Sequence, residues 1–507
     1  MSHAGEGEAG LVSRRLPGQH DPVALHAALT TDGKPPLLFR RTGGRALIVT
    51  DAALKLEATG GAARIEALSE GGTLLIAPIA ERLAGHVVEH GPSHLRLVFE
   101  RCDDPDEAVR AAAPSALDAL RALLAVAVPR DRDEPFAVVA AGIVGFDHVD
   151  MVEALPPRPA GDFPDVLFVL AETLVAVEPS GAARVLALAV GSTDAVVAHR
   201  QHHLAAERLA RLVERCTAAE VAPATPPAQP RQADPDLDDA AFAATVERLK
   251  QHITAGDIFQ AVPSRAFRVA CDDPPAAFRR LVAADPSAYH YYFDSGHGTL
   301  FGASPETALA VRRESDSLTV TVSPIAGTRP RGANPDADDR LEADLRLDAK
   351  EVAEHLMLVD LARNDVARVA APGTRRVTRM LGVERFARVM HLVSTVEGRL
   401  ADGRDAIDAI RACLNVGTLS GAPKLEAIAL IRTVETSPRG PDGGAIGWIN
   451  GHGEMDSAVV IRSALVRGGV AEVRAGAGVV ADSDPLAEAA ETRAKAGAVL
   501  AAIGVSA

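Results

Sequence analysis

The sequence predicts a mixed α and β body in which short strands alternate with amphipathic helices. Three observations carry this reading. Short apolar runs bounded by turn residues recur through the first 180 or so positions. Apolar residues then fall at helical spacing in several longer stretches. Near the C-terminus, two alternating segments face each other across a Gly-Gly turn.

Taken in order, Ala46–Thr50, Thr73–Ala77, Leu95–Phe99 and Val166–Leu170 read as strands. Residues 193–216 open on Thr193-Asp194 and keep helical spacing to Cys216. Residues 218–237 are rich in Pro and Ala and read as an exposed linker. They divide an N-terminal region, 1–217, from a second region, 238–507. Asp239–Ala255 has the pattern of an amphipathic helix. Ile258–Val269 and Tyr289–Phe293 read as strands, and Leu318–Ser323 alternates like a half-buried one. Leu345–Val369 reads as one long helix, with Val352, Leu356, Val359 and Val366 on its apolar face. Asp405–Cys413 and Ala422–Ile431 are helical in pattern. Val459–Leu465 and Val470–Ala475 form a hairpin across Arg467-Gly468-Gly469. Ser483-Asp484-Pro485 opens the last helix, with a capping side chain followed by Pro in the first turn. No internal repeat is present.

The bulk numbers bound the function. With 507 residues the chain is long enough for two to four structural units, or one large two-part body. A formal net charge of -15 argues against nucleic acid or an anionic membrane as partner. It leaves room for an anionic small substrate, because the field in a cleft is local. Cys102, Cys216, Cys271 and Cys413 show no CxxC spacing, which fits a reducing cytoplasm and no cysteine-based zinc site. The N-terminus lacks the apolar run of a signal peptide. No run of about 18 apolar residues suggests a transmembrane helix.

Four stretches carry candidate chemistry. Glu351 and Glu354 share a helix face at i, i+3, and Glu488 and Glu491 repeat the spacing in the last helix, with Lys495 four residues on. Carboxylates from two helices suit Mg²⁺. The same spacing also describes a solvated helix face and an ordinary surface ion pair. Gly476 and Gly478, just before the last helix, allow close backbone approach to an anion, or make a plain strand-to-helix turn. The Pro- and Gly-rich loop Ser323–Gly332 offers Thr328, Arg329 and Arg331 to carboxylates, or is a basic surface turn. His391, inside an apolar stretch, is a core histidine or a general acid–base.

Seven segments then occur together and in order: Gly256-Asp-Ile-Phe-Gln260, Phe301-Gly-Ala-Ser-Pro-Glu306, Pro324-Ile-Ala-Gly-Thr-Arg-Pro-Arg331, Glu354-His-Leu-Met-Leu-Val-Asp-Leu-Ala-Arg-Asn-Asp365, Val389-Met-His-Leu-Val-Ser394, Gly417-Thr-Leu-Ser-Gly-Ala-Pro-Lys424 and Ala475-Gly-Ala-Gly-Val-Val-Ala-Asp482. Through about residues 240–505 the chain resembles the chorismate-utilising enzymes, and component I of anthranilate synthase above all. The N-terminal half resembles it only loosely.

The resemblance implies a two-lobed α+β body whose antiparallel sheets enclose a cleft flanked by helices. It implies Mg²⁺ held by Glu354 and Glu491 and bridged to the ring carboxylate of chorismate. Gly327, Thr328, Arg462, Gly476, Ala477 and Gly478 are then expected to bind substrate carboxylates, with Thr418 and Lys495 lining the site. Glu306 is expected to protonate the departing 4-hydroxyl, and His391 to assist a later pyruvate elimination. Two positions narrow the reaction. Relatives that add water at carbon 2 carry a lysine at the place of Gln260, where it serves as base; a glutamine suits ammonia. Relatives that aminate carbon 4 carry a lysine at the place of Ala326, where it attacks the ring; alanine cannot. The implied reaction is amination of carbon 2 with loss of the 4-hydroxyl, giving 2-amino-2-deoxyisochorismate. Anthranilate requires elimination of pyruvate as a second step.

Three departures bear on product and control. The family's Pro-Tyr-Gly-Gly appears as Pro441-Asp-Gly-Gly444, which sets Asp442 beside the substrate, a repulsive contact unless paired or protonated. The family's tryptophan site has Leu-Leu-Glu-Ser and Pro-Tyr-Met, where this chain has Leu37-Leu-Phe-Arg40 and Ala288-Tyr-His290. These departures argue against tryptophan feedback and lean toward a specialised relative that releases the aminated intermediate for secondary metabolism. The alternative is an ordinary anthranilate synthase component I serving tryptophan biosynthesis. The chain has no added domain bearing a Cys nucleophile between glycines, so ammonia is expected from a separate glutamine amidotransferase subunit. A rival of another class, a non-catalytic chorismate-binding regulatory subunit, is opposed by the joint presence of Glu306, Glu354, His391 and Glu491.

Overall fold

The computed structural model describes residues 8–30, 36–129, 133–218, 231–385 and 389–506. Most of the Pro/Ala-rich linker, 219–230, lies outside the described residues.

The fold is α+β, built on antiparallel ladders. Strand Val166–Val177 is buried along its whole length, as its Val/Leu/Ala-rich sequence requires. It pairs with Ala46–Thr59, with Val139–Val144 and with Ala183–Val190. From there two lines of strands run into the second half of the sequence. In the first, Leu37–Arg41 pairs with Tyr289–Asp294, followed by Thr299–Ser304, Ser463–Arg467, Val470–Gly476 and Ser264–Ala270. In the second, Val139–Val144 pairs with Ala445–Asn450, followed by Met455–Val459, Thr307–Glu314, Ser317–Val322 and Val389–Arg399. Residues before and after the linker are thus partners in both lines. The lines share a buried cluster that includes Tyr289, Tyr291 and Leu300 from one and Ile446, Trp448 and Ala458 from the other.

The chain crosses from one line to the other twice in the second half. Thr299–Ser304 and Thr307–Glu314 lie in different lines, and so do Met455–Val459 and Ser463–Arg467. Glu306 and Arg462 sit on these two crossings. Backbone bonds hold the crossings together: Val459 N–H donates to the Glu306 carbonyl at 3.1 Å, and Ala303 N–H to the Arg462 carbonyl at 3.1 Å. Arg462 adopts φ +50°, unusual for a side-chain-bearing residue, where the chain turns between the lines.

Most elements read from the sequence are present, and four are corrected. Thr73–Ala77 belongs to helix Glu70–Arg82, not to a strand. Ser69 caps that helix at Gly72 N–H, and Leu75, Ile76, Ile79 and Ala80 form a buried face at helical spacing. A five-residue apolar run does not distinguish the two states. Leu345–Val369 is not one helix: Asp348, in extended conformation, ends helix Pro335–Leu347 and caps helix Ala349–Ala367. The buried face of the second helix runs through His355, Leu358, Val359, Ala362, Asp365 and Val366, while Leu356 is 40% exposed. Ile258–Val269 is split into Gln260–Ala261 and Ser264–Ala270, with Pro263 between them. The predicted hairpin forms across Gly468 and Gly469, both at positive φ as a two-residue turn needs, but its first strand is Ser463–Arg467 and not Val459–Leu465, whose first residue ends strand Met455–Val459 and whose next three make the crossing. No helix among the described residues is long and apolar enough to cross a membrane.

Candidate active site

The singled-out residues gather around the two crossings. Glu306 is buried, and its Oε1 accepts a 2.8 Å hydrogen bond from the Thr418 hydroxyl. Burial pushes its carboxyl up to about 7, against that hydrogen bond and the nearby Lys495 ammonium. Glu306 therefore keeps a large share of its proton up to neutral pH, as a buried general acid would.

His391 lies on strand Val389–Arg399, paired with Ile325–Pro330, which carries Gly327 and Thr328. His391 Nδ1 stands 3.1 Å from the Gly327 carbonyl and 3.1 Å from the Thr328 hydroxyl. A carbonyl only accepts, so Nδ1 carries the proton and Nε2 is the basic nitrogen of the neutral ring. Burial lowers the imidazole's pKa, and the charges of Arg462 and Lys495 lower it further, against the Gly327 hydrogen bond.

Lys495 connects the parts. Its ammonium donates to the Gly476 carbonyl at 3.0 Å and lies 2.7 Å from the Glu491 carboxylate. Its charge acts on Glu306 and His391 alike. The segment Gly476–Gly478 runs against residues 260–263, with Ala477 N–H donating to the Pro263 carbonyl at 3.1 Å. Ala477 is fully buried. A Cβ at Gly478 would fall 2.9 Å from the Gln260 amide nitrogen, so a side chain there would push the Gln260 amide out of its present place. Gln260 is buried, and its side-chain oxygen has no hydrogen-bond partner among the described residues. A buried, unpartnered acceptor is costly unless a ligand completes it.

The two acidic pairs lie within electrostatic range of each other. Burial raises the Glu354 carboxyl; Lys350 opposes this, and Glu351, Glu488 and Glu491 add to it. Burial also raises Glu488, with Glu491 adding to the effect. Carboxylates on helices Ala349–Ala367 and Pro485–Ile503 thus raise one another's pKa. Among the described residues no group of three or more acidic, histidine or cysteine side chains forms a ready-made metal cage. The donor set still fits Mg²⁺, which favours one or two carboxylates completed by substrate oxygens and water. A divalent cation would relieve the mutual repulsion of these carboxylates further than the neighbouring lysines do. In the present arrangement Lys350 and Lys495 stand beside Glu354 and Glu491, at 3.7 and 2.7 Å.

Asp442 lies in an adjoining buried polar cluster. Burial pushes its carboxyl up to about 7, opposed by Arg474 and Arg439. Its charge is thus reduced by burial and offset by two arginines. Its charge is felt by Tyr291, whose hydroxyl reaches the Ile461 carbonyl beside Arg462.

Arg329 and Arg331 are turned to structural use. Arg329 ties Asp344, Asp348 and Glu351 together, and Arg331 holds Asp338. Leu37–Arg41 and Tyr289–Asp294 are neighbouring strands, with Arg40 opposite His290. Glu488 was read from the sequence only as the helix partner of Glu491, while Lys350, beside Glu354, and Glu435, which pairs with Arg439 and acts on Asp442, were not singled out. The i, i+4 spacings Lys350/Glu354 and Glu435/Arg439 were the available signals.

Comparison with known proteins bears on this geometry. Residues 90–501 match the family model of the chorismate binding enzymes. The pyocyanine-specific anthranilate synthase component 1 of Pseudomonas aeruginosa is 45% identical over 480 residues, covering 91% of this chain and 87% of the relative. Anthranilate synthase component 1 of Escherichia coli is 41% identical over 505 residues, covering 96% and 95%. Among solved structures, anthranilate synthase component I from Streptococcus pneumoniae superposes with a TM-score of 0.67 at 28% identity, covering 90% of this chain and 92% of that one. The menaquinone-specific isochorismate synthase of Escherichia coli gives 0.69 at 17% identity, covering 99% and 96%, a likeness of fold.

Proposed function

The chain belongs to the chorismate-binding enzyme family, and on that premise we propose that it aminates chorismate at carbon 2 in a Mg²⁺-dependent reaction, using ammonia derived from glutamine. It is a chorismate-utilising enzyme of the anthranilate synthase component I type. The observation that carries the finer reading is Gln260. Its buried, unpartnered carbonyl oxygen suits an N–H donor such as ammonia, and its amide cannot serve as the base that water addition needs.

Each group has a role in this scheme. Glu354 and Glu491 would hold Mg²⁺, which supplies charge neutralisation at the ring carboxylate. Gly476, Ala477 and Gly478, with Gly327, Thr328 and Arg462, bind substrate carboxylates, and Lys495 contributes the compensating charge. Ammonia attacks carbon 2, both ring double bonds shift by one position, and the carbon 4–oxygen bond breaks. Glu306 gives its proton to the departing hydroxyl, which leaves as water, and a proton lost by the new ammonium group restores the acid. The product is 2-amino-2-deoxyisochorismate. Asp442 supports release at this stage, since a carboxyl replaces the family's tyrosine beside the substrate. A relative named as pyocyanine-specific fits a role outside tryptophan supply. Glutamine-derived ammonia would come from a separate amidotransferase subunit.

A second reading, continuation to anthranilate and pyruvate, is favoured by His391, whose basic Nε2 is set by the Gly327 carbonyl on the other ring nitrogen. Incubation of the protein with chorismate, Mg²⁺ and ammonium, followed by mass spectrometry, tests both. The expected product retains the pyruvyl group and carries one nitrogen. Free pyruvate appearing at the rate of chorismate loss would establish the second reading, and absence of any aminated ring would overturn both.

A further inference from the structure

Lys424 is the first residue of helix Lys424–Val434, and its side chain is 11% exposed. Its ammonium donates to the Asp365 carboxylate at 2.9 Å and to the Cys413 carbonyl at 3.3 Å. Cys413 ends helix Ala406–Cys413, so one side chain joins the two ends of the loop between these helices. That loop carries Thr418, the hydrogen-bond donor to Glu306. It also carries Gly421–Ala422, which pairs with Gln260–Ala261. Asp365 lies on the helix that bears Glu354, about three turns further on. The loop meets this helix directly at Gly417, where a Cβ would strike the Leu361 side chain.

A buried ion pair is weak evidence for a stabilising role, since a well-packed apolar pair of like size often folds as well. Geometry is the better account of this one. We infer that the Lys424–Asp365 pair is a positioning strut, which fixes the Thr418 loop and the Gln260 strand against the Glu354 helix. The inference deepens the proposed function and rests on it. Lys424 bonds to the Glu354 helix at Asp365 and to Cys413 at the head of the loop, and the loop's own Gly421–Ala422 pairing carries the constraint on to the Gln260 strand. Lys424 and Asp365 touch neither Glu306 nor Gln260, so their effect on the reaction passes through Thr418 and the strand pairing. Loss of the strut frees the loop and weakens the Thr418 hydrogen bond, which holds the Glu306 carboxyl lower than burial alone would.

The test uses the full chain with chorismate, Mg²⁺ and saturating ammonium. The variants are Lys424→Met, Lys424→Arg and the double variant Asp365→Leu/Lys424→Met, with Thr418→Val as reference. The double variant removes both charges together and so guards against a misfolded single variant. Its melting temperature is expected to stay near that of the unaltered protein, while kcat falls at least about tenfold. Its upper pH limb should move to higher pH, as in Thr418→Val, and adding Thr418→Val should shift it no further. Lys424→Arg should recover most of kcat. A folded double variant with unaltered kcat and pH limb would overturn the strut. Absence of ammonium-dependent turnover in the unaltered protein would instead overturn the function, and the strut with it.

Discussion

Replacing Glu306 with Gln tests the central electrostatic claim in two independent ways. The carboxyl is raised from the ordinary 4.5 to about 7 because it is buried. At about 1.4 kcal/mol per pKa unit, the ionised form is disfavoured in the folded protein by about 3 kcal/mol. The sign follows from proton counting. Between pH 4.5 and about 7 the folded chain holds a proton that the unfolded chain has released, so stability falls as pH rises through that window and stays lower above it. Glutamine has the same shape, accepts from Thr418 and never ionises. Glu306→Gln is therefore expected to be more stable than the unaltered protein at pH 8.5, by up to about 3 kcal/mol, and equal to it near pH 4.5. Turnover with ammonium should fall about 100-fold to 10,000-fold, the loss of a general acid. Urea unfolding at the two pH values reads the first effect, and chorismate consumption reads the second. A variant no more stable at pH 8.5 would refute the buried, raised carboxyl. Undiminished turnover would refute its role as acid. The unaltered enzyme should lose activity as pH rises through about 7, where Glu306 gives up its proton.

Other outcomes follow from the same geometry. Glu354→Ala and Glu491→Ala should each lower turnover at limiting Mg²⁺ by at least about a hundredfold and weaken Mg²⁺ binding by calorimetry; unchanged Mg²⁺ dependence would remove both from the metal site. Gln260→Lys should cut ammonium-dependent amination at least about tenfold and yield a hydroxylated ring product, seen by mass spectrometry; amination at the original rate would discard the role of the amide. Asp442→Tyr should divert product from the aminated intermediate toward anthranilate and free pyruvate, and an unaltered product ratio would show that this position does not govern release.

Legibility in the sequence varied by element for physical reasons. Asp194, Asp238, Asp405 and Asp484 cap their helices as local chemistry dictates, because a cap involves only the next two or three backbone amides. The Gly468-Gly469 hairpin is equally local. Thr73–Ala77 was misread because its short apolar run suits strand and helix alike, and packing chose. Asp348 breaks Leu345–Val369 through a cap that the apolar pattern concealed.

The candidate site divides along the same line. By itself the sequence determined the residue types, Glu306, Glu354, His391, Gln260, Glu491 and Lys495, and the spacing that sets paired carboxylates on one helix face. Only the tertiary structure decided that Thr418 caps Glu306, that Lys495 charges the surroundings of both Glu306 and His391, and that Lys424 spans to Asp365. Those partners lie far apart along the chain, and burial is a property of the packed whole. A pKa near 7 for Glu306 exists only once surrounding elements have removed water from it.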